Sequence, residues 1–217
     1  MGAPAAVLRP EVKPTWRGRS HQVAAFVFPL LCAPLVAAAP DADGRLAVCV
    51  YGVGVTGMYA VSAAYHRGRW GPAALRRMRR LDHSTILIGI AATYTPLVVL
   101  GLDGKVVTVV LALEWAGALV GVAIRMLWLD APRPLTIAAY LCVGWVAVGI
   151  LPRLLHDLGG LVVGLVLVGG LVYSAAAVVY NRRRPDPWPT IFGYHEVFHA
   201  LVLVAGALMY AAVAVVV

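Results

Sequence analysis

The sequence predicts an all-α integral membrane protein with seven transmembrane helices, the N-terminus cytoplasmic and the C-terminus outside. Three observations carry this. Of the 217 residues, 61% are hydrophobic and 13% charged, and the mean hydropathy is +0.84, which is too apolar for a soluble domain. A bilayer core about 30 Å thick asks for roughly 20 apolar residues per helix, and such runs lie near residues 21–39, 46–66, 82–101, 105–128, 134–151, 158–180 and 195–217. Fifteen of the 18 Lys and Arg residues fall in the N-terminal tail or in alternate loops.

That alternation sets the orientation. Arg9, Lys13, Arg17 and Arg19 precede the first run; Arg67, Arg69, Arg76, Arg77, Arg79 and Arg80 follow the second; Arg125 and Arg133 flank the loop after the fourth; Arg182, Arg183 and Arg184 follow the sixth. Only Arg45, Lys105 and Arg153 lie opposite, so the positive-inside rule puts the basic side in the cytoplasm. Trp16, Trp70, Trp128 and Trp188 fall at the same ends, where amphipathic rings suit the headgroup zone. The formal charge of +8 is therefore topological and no nucleic-acid footprint. The partner is the lipid bilayer, and the expected location is the cell membrane, spanned many times. Residues 1–20 have no apolar stretch before a cleavage site and read as a cytoplasmic tail, leaving 21–217 as one transmembrane domain.

Each run has its own punctuation. The first opens at His21 and is interrupted by Pro29 and Pro34; the second ends in SAAYH, residues 62–66. The following RGRWGPAALRRMRR (67–80) reads as a short basic interfacial helix after Pro72, with Leu75 and Met78 toward lipid. In the third run Thr93 and Thr95 stand beside Pro96, where hydroxyls can satisfy freed carbonyls. Glu114 lies mid-membrane in the fourth and should face the bundle interior, protonated or partnered. The segment LPRLLHDLGG forms the turn between the fifth and sixth runs, NRRRPDPWPT (181–190) is expected to be extended, and the last run opens with HEVFH. Cys32, Cys49 and Cys142 lie inside apolar runs without paired spacing and read as small buried residues.

An Asp inside the bilayer costs at least ~2.5 kcal/mol on insertion scales, so each ionisable residue in or beside a run asks for a reason. Runs one, three and seven begin, and run two ends, on the same side. His21, His66, Asp82, His195 and His199 therefore share one depth. Ser62 and His66 are four apart on one helical face, and so are His195 and His199, about 6 Å along the axis. Three neutral imidazoles with an open fourth position are the composition of a catalytic zinc site, and Asp82 could hold its water or act as base. His195, Glu196 and His199 also match the metalloprotease pattern H-E-x-x-H. Blander readings stand beside these: histidines hydrogen-bonded between helices, a structural zinc, Asp82 paired with Arg79 or Arg80, Ser62 as a packing residue, and His21 and His83 as interfacial polar groups.

KPTWRGRSH (13–21), SAAYH (62–66), RRLDHSTILIGIAATYTPL (79–97) and GYHEVFHALVLVAG (193–206), in this order, resemble the hemolysin III family, the bacterial branch of the progestin and adipoQ receptor superfamily. The resemblance implies zinc near the cytoplasmic face held by His66, His195 and His199, with Asp82 on the zinc-bound water and Ser62 orienting water or a substrate oxygen. The superfamily resembles alkaline ceramidases in this set, which implies a zinc-dependent hydrolase of a lipid amide or ester. The alternative is a non-enzymatic protein of membrane homeostasis or cytolysis with a structural zinc. The family's first motif often carries Glu and Asn ahead of its histidine, whereas here Arg17, Gly18, Arg19 and Ser20 precede His21. Glu196 takes no catalytic role from the resemblance.

Overall fold

A computed structural model of the chain describes residues 13–217. Residues 1–12 of the expected tail, Arg9 among them, lie outside the described residues. The remainder is helical: α1 Arg19–Ala38, α2 Ala42–Arg67, α3 Pro72–Gly101, α4 Lys105–Leu127, α5 Arg133–Gly144, a 3₁₀ turn Val146–Ile150, α6 Leu151–Arg182 and α7 Tyr194–Val216. Among the described residues no strand forms, only an isolated bridge between Trp188 and Phe192. Local chemistry sets several ends. The Asp41 carboxylate accepts from the Gly44 amide at 2.7 Å and caps α2, and Pro72 opens α3, where a missing amide proton costs nothing.

Six stretches are long and apolar enough to cross a bilayer: α1, α2, α3, α4, Pro134–Arg182 and α7. The expected fifth and sixth runs fall together in the 49-residue stretch Pro134–Arg182. Within it, α5 gives way to the 3₁₀ turn, and Gly159, at φ 76 and ψ 169, breaks the helix geometry of α6. The turn expected at LPRLLHDLGG is thus helical up to that glycine. Pro152 sits in its first turn and Arg153 pairs with Asp157 one turn on. A second difference concerns RGRWGPAALRRMRR. Its helix does begin at Pro72, but it runs straight into the third span instead of forming a separate interfacial segment, because good helix formers follow and no breaker intervenes before Pro96.

α2 is the central helix. Val48, Tyr51, Val55 and Tyr59 form its buried stripe, meeting Phe28, Cys32 and Leu35 of α1 and Val202 and Val213 of α7. Small residues with no exposure, Ala91, Ala92, Ala118, Ala205 and Ala212, let backbones approach closely, as helices in lipid require. Large apolar side chains such as Phe26 (71% exposed) and Leu30 (75%) face outward, the arrangement lipid rather than water favours. Cys32 is buried, but Cys49 and Cys142 lie on that outer surface, and all three are free. In α3 Thr93 donates to the Gly89 carbonyl (2.7 Å) and Thr95 to that of Ala91 (2.9 Å), the hydroxyl bonding expected beside Pro96. Glu114 faces the bundle interior with no exposure, and neither carboxyl oxygen has a hydrogen-bond partner.

Candidate metal centre

The first turns of α1 and α7, the last turns of α2 and α3 about three turns past Pro72 lie together at one end of the bundle, so residues distant in sequence converge. His21, Ser62, His66, Asp82, His195 and His199 are all buried there, none more than 8% exposed. Helical periodicity puts His195 and His199 on one face of α7, as it does Ser62 and His66 on α2. His66, His195 and His199 each offer a ring nitrogen within 4.8 Å of the others. Among the described residues this is the group whose donors could hold a metal ion.

The donor set fits a cation. Nε2 of His66 and Nε2 of His195 face each other at 3.1 Å, and Nδ1 of His199 is buried without a partner. Two tetrahedral ligands at zinc–nitrogen distances near ~2.05 Å stand about 3.3 Å apart, so the observed gap is one a zinc-sized ion would span. Asp82 lies beside the trio, its Oδ2 4.0 Å from His66 Nε2. Its carboxylate also interacts with the Ser62 hydroxyl. The pairing of Asp82 with Arg79 that the sequence left open does not form, since Arg79 reaches Asp130 at 3.1 Å.

Two features escaped the sequence reading. His21, read there as an interfacial polar group, is buried: Nδ1 lies 2.9 Å from Ser62 Oγ, and the ring stacks on His199 with centroids 3.9 Å apart and planes within 5°. Its place at the start of the first run, at the depth of the other histidines, was the available signal. Glu196 is 2% exposed; it accepts from Arg17 Nε at 2.5 Å and from the Gly193 amide at 2.9 Å. The segment before α1 is held against the α6–α7 loop by the Thr15 and Trp16 amides, which donate to the carbonyls of Thr190 and Ile191. Lys13 donates to the His66 carbonyl at 3.4 Å. At Gly18, φ is +73 and a Cβ would lie 2.8 Å from the Cβ of His66, so glycine is what lets this segment close over α2.

A family model described as "Haemolysin-III related" matches residues 11–210. The chain belongs to the hemolysin III family. Hemolysin-3 of Bacillus cereus is 28% identical over 169 residues, covering 78% of this chain and 74% of the relative. The Hemolysin-3 homolog of Bacillus subtilis (strain 168) is 30% identical over 130 residues, 60% of this chain and 58% of the relative. No solved structure matches. The histidine trio, Ser62, Asp82, His21 and the Arg17–Glu196 pair all lie inside the matched hemolysin III region.

Proposed function

We propose that this hemolysin III protein crosses the cell membrane seven times, with its N-terminus in the cytoplasm and its C-terminus outside, and holds zinc through His66, His195 and His199 to hydrolyse a lipid amide or ester. The crossing number is supported by the course of 134–150. Tyr140 donates to the His83 carbonyl near the basic end and Tyr94 to that of Gly144 deeper in, while Ile150 packs with Val98 and Leu102 toward the far end of α3. Contacts at these successive depths ahead of the break in helix geometry at Gly159 support a separate crossing by this segment. The orientation is supported by the distribution of Lys and Arg.

The observation that carries the chemical reading is the buried 3.1 Å approach of the two Nε2 atoms with Asp82 and Ser62 alongside. These two nitrogens could share one N–H···N bond, but the third imidazole converging on them, with its Nδ1 buried and unpartnered, would be left over, and a shared cation can take all three. Zinc, when bound, would polarise a carbonyl and ease the ionisation of water. Asp82 takes the proton from the attacking water. Once Asp82 holds that proton, the Ser62 hydroxyl turns its hydrogen bond to the carbonyl oxygen as that oxygen gains charge, and Asp82 passes the proton to the amine or alcohol that leaves. The depth of the site suits a substrate that enters from the bilayer.

The test is elemental mass spectrometry on detergent-purified protein, followed by a screen of lipid amides and esters. Zinc bound in the native protein and lost in His195→Ala and His199→Ala, with turnover abolished in Asp82→Asn while zinc remains, supports the reading. Well-folded native protein without zinc rejects it. One observation favours a second reading, a structural zinc. α2 and α7 do not pack backbone to backbone, and their long side chains bridge them at the histidines. In that case Asp82→Asn leaves every property of the protein unchanged, and no lipid is turned over.

A further inference from the structure

We infer that His21 is the positioning residue for Ser62, fixing the direction of its hydroxyl, and is not a metal ligand; this rests on the metal-centred reading above. Three observations on the structure lead there. His21 is 3% exposed, with Nδ1 2.9 Å from Ser62 Oγ. Ser62 is also close enough to the Asp82 carboxylate to act on it, although the two make no short hydrogen bond. And the His21 ring lies flat on that of His199, with centroids 3.9 Å apart and planes within 5°.

The stacking decides against ligation. An imidazole nitrogen offers its lone pair in the plane of the ring, so two parallel rings stacked face to face direct their lone pairs along separate planes. A cation in the plane of His199 lies off the plane of His21. The His21 nitrogens are accordingly absent from the convergent donor group formed by His66, His195 and His199.

The hydrogen-bond inventory then assigns the roles. A carboxylate only accepts, so a Ser62 hydroxyl turned toward Asp82 can only donate, and its oxygen is left to receive. His21 Nδ1–H is the donor that meets it, giving a chain from His21 through Ser62 to Asp82. This chain makes His21 Nε2 the unprotonated nitrogen; it makes no hydrogen bond of good geometry, and the opposite tautomer would bury an unmet N–H there instead. Without His21 the Ser62 hydroxyl can rotate away toward a backbone carbonyl of its own helix, the usual habit of serine in apolar helices. The hydroxyl is then lost to the Asp82 carboxylate as a donor. His21 thus ties α1 to the reacting groups on α2 and α3 without touching metal or substrate.

Cobalt(II) serves as the probe, with affinity measured by chelator competition and the site read by visible absorption. Asn carries an amide N–H where Nδ1–H sits, Gln carries one nearer the Nε2 position, and Leu carries none. His21→Gln and His21→Leu are expected to weaken cobalt binding about tenfold and to change its absorption spectrum, the low end of outer-shell effects. His21→Asn is expected to stay within about twofold of the native protein, which a packing role of the ring would not allow. Ser62→Ala should match His21→Leu, and the double variant should lose no more than Ser62→Ala alone. If His21→Leu does not fold, the Asn and Gln variants decide between them. Equal loss in Asn and Gln, no loss in either, or additive loss in the double variant overturns the role of His21 while leaving the metal site standing. A native protein that binds no cobalt overturns the metal-centred reading and this inference with it.

Discussion

His66 on α2 and His195 on α7 aim their Nε2 atoms at each other across 3.1 Å in a buried site, although the two helices do not otherwise pack backbone to backbone. A cation there would tie two helices that otherwise meet through side chains alone. Chelation is therefore expected to lower the thermal midpoint of the purified protein, and His66→Ala should start low and not respond. A ligand present at a hundredfold its dissociation constant contributes about 2.7 kcal/mol, which differential scanning fluorimetry in detergent resolves. Equal midpoints with and without chelator in native protein would count against any metal at this site.

The Arg17–Glu196 pair at 2.5 Å is asymmetric, the Arg17 side chain 23% exposed and that of Glu196 2%. Removing the cation strands a buried carboxylate, whereas neutralising the carboxylate does not. Arg17→Ala is expected to cost about 2–3 kcal/mol, somewhat less than the loss of a partner from a fully buried pair. Glu196→Gln should be milder, because an amide oxygen still accepts from Gly193. The decisive measurement is the double variant: Arg17→Ala with Glu196→Gln should be more stable than Arg17→Ala alone.

Gly18 is constrained twice, by its φ of +73 and by the 2.8 Å a Cβ would leave to His66. Gly18→Ala is expected to destabilise the protein by about 2 kcal/mol, combining a left-handed backbone with a contact that must be relieved. Since the contact is with His66 itself, zinc content should fall together with the thermal midpoint. A variant of native stability and zinc content would show that the segment before α1 does not hold the site in place.

Glu114 is fully buried with both carboxyl oxygens unpartnered, so its polarity is a cost without a visible return. Glu114→Leu is expected to stabilise the protein by about 1 kcal/mol, the value of removing an unsatisfied buried polar group. Glu114→Lys should prevent accumulation in the membrane. If Glu114→Leu is instead destabilised, the carboxyl has a partner in the working protein, and a screen of ions for a protective effect would identify it.

Much of the site could be read from the chain. The HEVFH and SAAYH spacings follow from helix geometry, and the shared depth of His66, Asp82, His195 and His199 follows from counting apolar runs. The course of 134–182 was harder, since an apolar run does not announce that its connecting turn is itself helical up to a glycine with positive φ. His21 and Glu196 were visible as polar residues at helix starts, but their partners were not.

By itself, then, the sequence determined that the chain is helical and membrane-embedded, and which polar residues share one end, because hydropathy and the helical repeat are local properties. Only the tertiary structure decided which of those residues touch. His21 meets Ser62 across 41 positions, His66 meets His195 across 129 and Arg17 meets Glu196 across 179. Such pairings depend on how each helix is rotated about its axis and how closely its neighbours approach. Those quantities are set by the packing of glycine, alanine and tyrosine side chains over the whole bundle.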